Sequence, residues 1–149
     1  MGKSVRDPPA DRREDEYVTI SVTEAGFADP TGSQGLLILT AEDGRSFPMS
    51  AFSGEVADFI GRFQRGDRTS TPSVYKLISE LADSQSLFLT MVEVYERGGV
   101  LRADLYFEGR NGELVLRNYR ASDSIALATF YDVPIRMRRE TFDRLASMI

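Results

Sequence analysis

From Tyr17 to Phe27 the chain alternates: Val18, Ile20 and Val22 fall on one side, and Thr19, Ser21 and Thr23 on the other. That is the period-two pattern of a half-buried strand. The tract ADPTGSQG supplies turn residues, and LLILTA reads as a second strand. Ala41 to Arg45 closes a hairpin through Gly44, leading to a third strand in RSFPMSAF. The period then changes to 3.6. Val56, Phe59, Ile60 and Phe63 predict an amphipathic helix over SGEVADFIGRFQ with Ser53 as its cap. Thr71 and Pro72 read as the cap and first turn of a second helix, with its core face expected at Val74, Leu77, Ile78 and Leu81.

After Ser84 the strand pattern returns in SLFLTMVEVYE, VLRADLYFE and GELVLRNYR, with Gly98-Gly99 and Asn111-Gly112 as turns. Two further helices are expected in SDSIALATFYD and ETFDRLASMI, the last with Phe142, Leu145, Ala146 and Ile149 on one face. The order is βββαα twice over, which implies an internal duplication. A shift of 68 positions lays Gly44 on Gly112, Glu55 on Asp123, Phe59 on Leu127 and Leu77 on Leu145. The expected fold is α+β: a duplicated repeat of three strands and two helices, forming a curved, largely antiparallel, barrel-like sheet with helices packed outside. Residues 1–16, rich in charge and proline, read as a disordered tail. Residues 17–149 read as a single domain with halves of about 17–84 and 85–149.

Composition narrows the chemistry. Of 149 residues, 42% are hydrophobic and 28% charged, as in ordinary globular proteins. There is no cysteine, which excludes disulfides and thiolate metal sites. There is no histidine either, which excludes imidazole bases and Ser-His-Asp triads. A net charge of −5 argues against coating nucleic acid by bulk electrostatics. Locally, Arg117, Arg120, Arg136, Arg138, Arg139 and Arg144 outnumber Asp123, Asp132, Glu140 and Asp143; this run is either a solvated face or a phosphate patch. No stretch reaches the ~18 apolar residues of a membrane span, and the start lacks a signal peptide's apolar core, so a cytoplasmic protein without membrane contact is expected. A long antiparallel sheet has edges to cover, and self-association, a dimer first, would cover them.

The segment RASDSIALATFYD carries the sharpest question. Ser122 and Asp123 suit a helix start, the serine as a cap and the acid against the positive end of the helix dipole. The same residues suit another role. Hydrolysing a phosphodiester without histidine would use a divalent cation, Mg²⁺ or Mn²⁺, held by carboxylates, with arginine offsetting developing charge. Asp123 and Glu55 are the candidate metal ligands and catalytic carboxylates, and Arg120 is the candidate catalytic phosphate contact. Arg117, Arg136, Arg138 and Lys76 are further candidate phosphate-binding residues. Tyr75, Tyr106 and Tyr119 could donate a proton or stack on a base, or simply pack. There is no GxxxxGK[ST] loop and no GxGxxG, and no organic cofactor is expected.

Three stretches make the region 17–149 resemble the bifunctional nuclease domain family. RSFPMSAFSGEVADFI resembles its block of leucine, Pro-Ile, a glycine-bearing turn and Glu-Ala, keeping Pro48 and Glu55. TPSVYKLI resembles its Pro-x-Thr-His-Asp-Leu-Leu block, keeping Pro72 and Leu77. RASDSIALATFYDVPI resembles its Arg-Pro-Ser-Asp-Ala-Ile-Ala-Leu-Ala signature, keeping Arg120, Ser122, Asp123, Ile125, Ala126, Leu127, Ala128, Pro134 and Ile135. The resemblance implies DNase and RNase activity, and so DNA or RNA as partners. The departures are Val74, Tyr75 and Lys76 in place of Thr-His-Asp, Phe52 in place of a glycine, and Ala121 in place of a proline. They leave an alternative: a non-catalytic module that binds anions, nucleic acid or protein after losing the His-Asp pair.

Overall fold

A computed structural model describes residues 16–148. The expected tail lies outside these residues except for Glu16, as does Ile149. The strands are β1 (Tyr17–Phe27), β2 (Gly35–Ala41), β3 (Ser46–Met49), β4 (Leu87–Arg97), β5 (Val100–Gly109), β6 (Gly112–Arg120) and β7 (Ile135–Arg138). The helices are α1 (Gly54–Gln64), α2 (Val74–Ser84), α3 (Ala121–Tyr131) and α4 (Arg139–Ala146). All seven strands join one sheet in the order β3-β2-β1-β7-β4-β5-β6.

The fold class is α+β with a mostly antiparallel sheet. Two expectations are corrected. β7 interrupts the order βββαα in the second half: it inserts between β1 and β4, antiparallel to the first and parallel to the second. Its sequence IRMR does alternate, with Ile135 and Met137 buried, but four residues are the shortest run that alternation can mark, and no turn separates them from α4, which begins at Arg139. The sheet is also open, with β3 and β6 as its edges, so no barrel-like closure forms and the helices do not ring its outside. Instead α1 packs on β1, β2 and α3, while α3 packs on β4 and β5.

The core lies between these helices and the sheet. Leu37 and Leu39 of β2, Val92 and Val94 of β4, Ile60 of α1 and Ile125 of α3 are buried in it. α3 is apolar nearly all round because it is covered on most sides; Ala121, Ser122 and Ser124 to Ala128 are all buried. α2 departs from expectation. Tyr75 and Ala82 are its buried residues, whereas Val74, Leu77 and Leu81 are more than half exposed. Its cap also differs: Ser73, not Thr71, starts the helix, its hydroxyl accepting from the Lys76 N–H at 3.1 Å. No described helix is long and apolar enough to cross a membrane.

On the opposite face of the sheet, a polar row crosses four strands. Thr19 is opposite Arg136, Arg136 is opposite Glu93, and Glu93 is opposite Asp104. The Arg136 guanidinium donates to Glu93 at 2.7 Å, and the Tyr106 hydroxyl donates to the other Glu93 oxygen at 2.7 Å. The Tyr95 hydroxyl donates to Asp104 at 2.7 Å, joined by Arg117 at 3.0 Å and the Asn118 N–H at 3.0 Å. Glu93 is only 2% exposed, so its charge depends on these partners rather than on water.

The turn between β1 and β2 sets the start of α1. Asp29 accepts from the hydroxyls of Ser33 and Thr31 and from the Gln34 N–H, which together hold its carboxyl well below the usual range. The Ser33 carbonyl accepts from the Gly54 N–H at 3.0 Å, and the Phe52 carbonyl accepts from the Gly35 N–H at 2.8 Å. A Cβ on Gly54 would lie 2.0 Å from the Gly32 carbonyl oxygen, so this contact is open only to glycine.

Gly54→Ala is therefore expected to destabilise at or above the top of the about 1–3 kcal/mol usual for overpacking, since a backbone oxygen has to move; a chemical-denaturation curve measures it. Arg136→Ala removes the guanidinium that faces the buried Glu93 carboxylate and should cost about 3–5 kcal/mol, a fall in Tm on the order of 10 °C by calorimetry.

Candidate functional site

Ser50 to Ser53 carry the chain from β3 into α1, and within this junction Ala51 adopts a left-handed conformation (φ 67°), strained for a residue with a Cβ. The resemblance sets a glycine beside this turn, and the positive φ falls on Ala51 rather than on Phe52. Ser53 is the helix cap as expected: its hydroxyl accepts from the Glu55 N–H at 3.2 Å. Glu55 stands exposed in the first turn of α1.

The junction from β6 into α3 is built differently. The cap position is Arg120, in extended conformation, and its side chain makes no cap hydrogen bond. Ser122 does not cap the helix, contrary to expectation. It lies inside the first turn and is buried, because the helix begins at Ala121, two residues before a helix capped by Ser122 would begin. Asp123 keeps its expected place in that turn, and its carboxylate lies 3.4 Å from the Arg120 guanidinium. The two side chains are 77% and 47% exposed, so the ion pair adds little stability and both groups stay open to a ligand. The first N–H groups of α3 are left without a side-chain acceptor, a positive end that favours an anion.

The two junctions share a groove of roughly 410 Å³ whose lining includes Pro48, Ala51, Phe52, Arg102, Arg120 and Ser122. Tyr75 of α2, like Glu55 and Asp123 of the two first turns, is not among the groove-lining residues. Its ring meets those of Phe59 and Phe63 edge-on, with centroids 5.7 Å away in each case. Burial, then the negative charges of Asp123 and Glu55, push the Tyr75 phenol up to about 12, with Arg120 acting in the opposite direction. Glu55, Asp123 and Arg120 thus each come to within electrostatic reach of Tyr75, the four residues belonging to three helix starts. No group of three or more Asp or Glu able to hold a metal is present among the described residues, so an all-protein metal cage is absent there.

The other candidates lie elsewhere. Lys76 pairs with Glu80 along α2. Arg117 and Arg136 are engaged by Asp104 and Glu93 on the far face of the sheet, and Arg138 lies 5.9 Å from the Tyr17 ring beside them. Pro72 precedes the α2 cap, and the Pro134 carbonyl accepts from the Val92 N–H at 3.1 Å on the way into β7. Sequence reasoning missed Glu93 and Asp104, which sit with Tyr95 and Tyr106 beside a cavity of roughly 760 Å³. Each occupies the polar phase of an alternating strand, and only the cross-strand register reveals that the two face each other under tyrosines and arginines.

Tyr75 yields a pH prediction. The unfolded phenol ionises near 10 and the folded one near 12, so the native state holds its full stability below about pH 10 and loses it progressively up to about pH 12. Denaturation midpoints measured across that window should fall in the parent more steeply than in Tyr75→Phe; equal slopes would place the phenol in water.

No curated protein matches the chain. The sequence model of the Bifunctional nuclease domain matches residues 37–148, a span that includes most of β2, both junctions, α2 and β7. With that match covering most of the molecule and all of the groove-lining segments, the chain belongs to the bifunctional nuclease domain family.

Proposed function

We propose that the groove between the β3–α1 and β6–α3 junctions binds the phosphates of a DNA or RNA strand and, with a divalent cation, hydrolyses a phosphodiester there. The observation that carries this reading is the gathering of Glu55, Asp123 and Arg120 around Tyr75 from separate helix starts. Arg120 contacts a phosphate oxygen through its exposed guanidinium, and the uncapped start of α3 adds backbone N–H groups with the same preference. Because the whole molecule is acidic, binding relies on these local contacts rather than on its overall field.

Two carboxylates without a third suit Mg²⁺ or Mn²⁺ of the sparse kind, which keeps most of its waters and takes one or two carboxylates plus substrate phosphates. Asp123 and Glu55 would hold such an ion, which supplies Lewis-acid polarisation of a phosphoryl oxygen when bound. Tyr75 remains protonated at neutral pH, so its hydroxyl is available as a donor to a bound phosphate and does not act as a base. In this reading Glu55 and Asp123 are equivalent positions of an internal duplication, each the acid in the first turn after the third strand of its half.

A second reading is favoured by Tyr75 itself. A buried phenol stands where the family block carries histidine, and it offers no titratable base near neutrality. On that reading the groove is a non-catalytic binding site for nucleic acid or another anion.

Cleavage of unstructured single-stranded RNA and DNA, with Mg²⁺, Mn²⁺ or EDTA, separates the two. Metal-dependent cleavage in the parent is expected to fall at least about 100-fold in Asp123→Asn and Glu55→Gln, with stability changed by no more than the about 0.3–1 kcal/mol of a first-turn charge. In binding isotherms Arg120→Ala should reduce the slope of log affinity against log salt by about 0.7, one phosphate contact on a single strand. Salt-dependent binding without cleavage would leave the second reading, and the absence of both would overturn the assignment of the groove.

A further inference from the structure

The groove between the two junctions is positive in an acidic molecule. Its lining includes Arg102 and Arg120, and its acid, Glu96, is held by Arg144. Arg102 and Arg120 are direct cross-strand partners on β5 and β6, an arrangement in which two like charges repel. Arg120 has Asp123 at 3.4 Å, whereas Arg102 is half-buried and has no acidic partner among the described residues; its other cross-strand neighbour is Tyr95. A half-buried guanidinium set opposite a second one is satisfied by an anion from outside the chain. Phe52 enters the same groove from the β3–α1 junction. Its ring is seated against Gly35, where an added Cβ would lie 2.3 Å from it, and its carbonyl accepts from the Gly35 N–H at 2.8 Å. An aromatic ring held in this way at the wall of a cavity offers a rigid surface to a planar partner. Met49, Val100 and Leu101 extend that apolar wall.

We propose that the groove takes one unpaired nucleotide of a single strand, with its phosphate shared by Arg102 and Arg120 and its base laid against Phe52. This rests on the reading of the groove as a phosphate site and adds to it a second phosphate contact, Arg102, and a base contact, Phe52. Directly opposed residues of an antiparallel pair have Cβ atoms about 4.5–5.5 Å apart, well inside the reach of two arginine side chains, so both guanidiniums can meet on one phosphate group. A cavity of roughly 410 Å³ falls at the small end of those that hold compact ligands, about 300–1,000 Å³. It has room for one nucleotide and none for a stretch of duplex. A base inside a duplex is stacked on both faces and cannot reach Phe52, which makes an unpaired strand the favoured polymer. Every base presents a π-face, so this contact carries little sequence preference.

Fluorescence anisotropy on the full chain, in EDTA so that the strands stay intact, tests this with labelled probes of equal length: an oligothymidylate, an abasic strand, and the oligothymidylate paired with its complement. The parent is expected to bind the single oligothymidylate about tenfold more tightly than either of the others. Phe52→Leu, which keeps an apolar side chain against Gly35, should bind the oligothymidylate and the abasic strand alike, with the circular dichroism of the parent. Arg102→Gln should weaken both single strands by the same factor and reduce the slope of log affinity against log salt by about 0.7, one phosphate contact. A parent that binds the abasic strand or the duplex as tightly as the oligothymidylate would overturn the proposal, as would a Phe52→Leu variant that keeps the preference. An Arg102→Gln variant with affinity and slope unchanged, beside an Arg120→Ala variant that loses both, would overturn the shared phosphate and leave the groove a phosphate site. Absence of binding to every probe would overturn that underlying reading and the proposal with it.

Discussion

The structure depends on four residues hydrogen-bonded along both edges. β7 is the strand that joins β1 to β4, and without it the sheet would divide into β3-β2-β1 and β4-β5-β6. Its pairing with β4 is parallel, which demands a long crossover; the chain makes it through β5, β6 and α3. The side chains of β7 bond the two faces of the sheet to different surroundings. Ile135 and Met137 enter the core, whereas Arg136 reaches Glu93 across the far face. Seating this strand also fixes the end of α3. Asp132 turns left-handed (φ 63°), and the Val133 N–H returns to the Ala128 carbonyl at 3.0 Å before the chain enters β7.

The consequence for the groove is geometric. α3 is held at its C-terminal end by β7 and along its length by a nearly complete apolar jacket, so the helix has no freedom to move its first turn. The first turn of α1 is held independently, by the Asp29 turn bearing on Gly54. Two rigidly seated helix starts therefore present Glu55 and Asp123 while leaving the side chains themselves in contact with water. Catalytic and binding groups gain precision from such supports, because the scaffold and not the side chain carries the packing constraint. The contrast between a capped α1 and an uncapped α3 places the stronger appetite for an anion at Arg120.

Charge is arranged in two ways in this molecule. On the far face of the sheet, Glu93 and Asp104 are withdrawn from water and satisfied by arginine, tyrosine hydroxyl and backbone N–H, which makes them a structural tie across β7, β4, β5 and β6. At the groove, the corresponding groups are loosely paired and exposed. The arginines that a reading of the chain groups together are thus divided by the fold: Arg117 and Arg136 belong to the tie, and Arg120 to the groove.

The sequence by itself determined six strands and four helices, legible in the spacing of Val, Ile, Leu and Phe; β3, no longer than β7, showed because the hairpin turn at Gly44 announces it. It also determined that chemistry must proceed without histidine or cysteine, and it picked out Glu55 and Asp123 as acids in the first turns of two helices that each follow a third strand. Tertiary structure decided the rest. β7 runs into α4 with no turn to mark it, and its place between β1 and β4 is a matter of long-range hydrogen bonding that no local pattern encodes. The buried side of α2 follows Tyr75 and Ala82 instead of its three large aliphatic residues, since burial depends on which neighbours the helix meets and not on its own hydrophobic line. Ser122 reads as a cap in the chain and becomes a buried residue because the cap is Arg120, and a shift of two residues turns a side chain by about 200°. The nearness of Glu55, Asp123, Arg120 and Tyr75 belongs to the same class: residues far apart in the chain share an electrostatic neighbourhood only when the helices that carry them share a core.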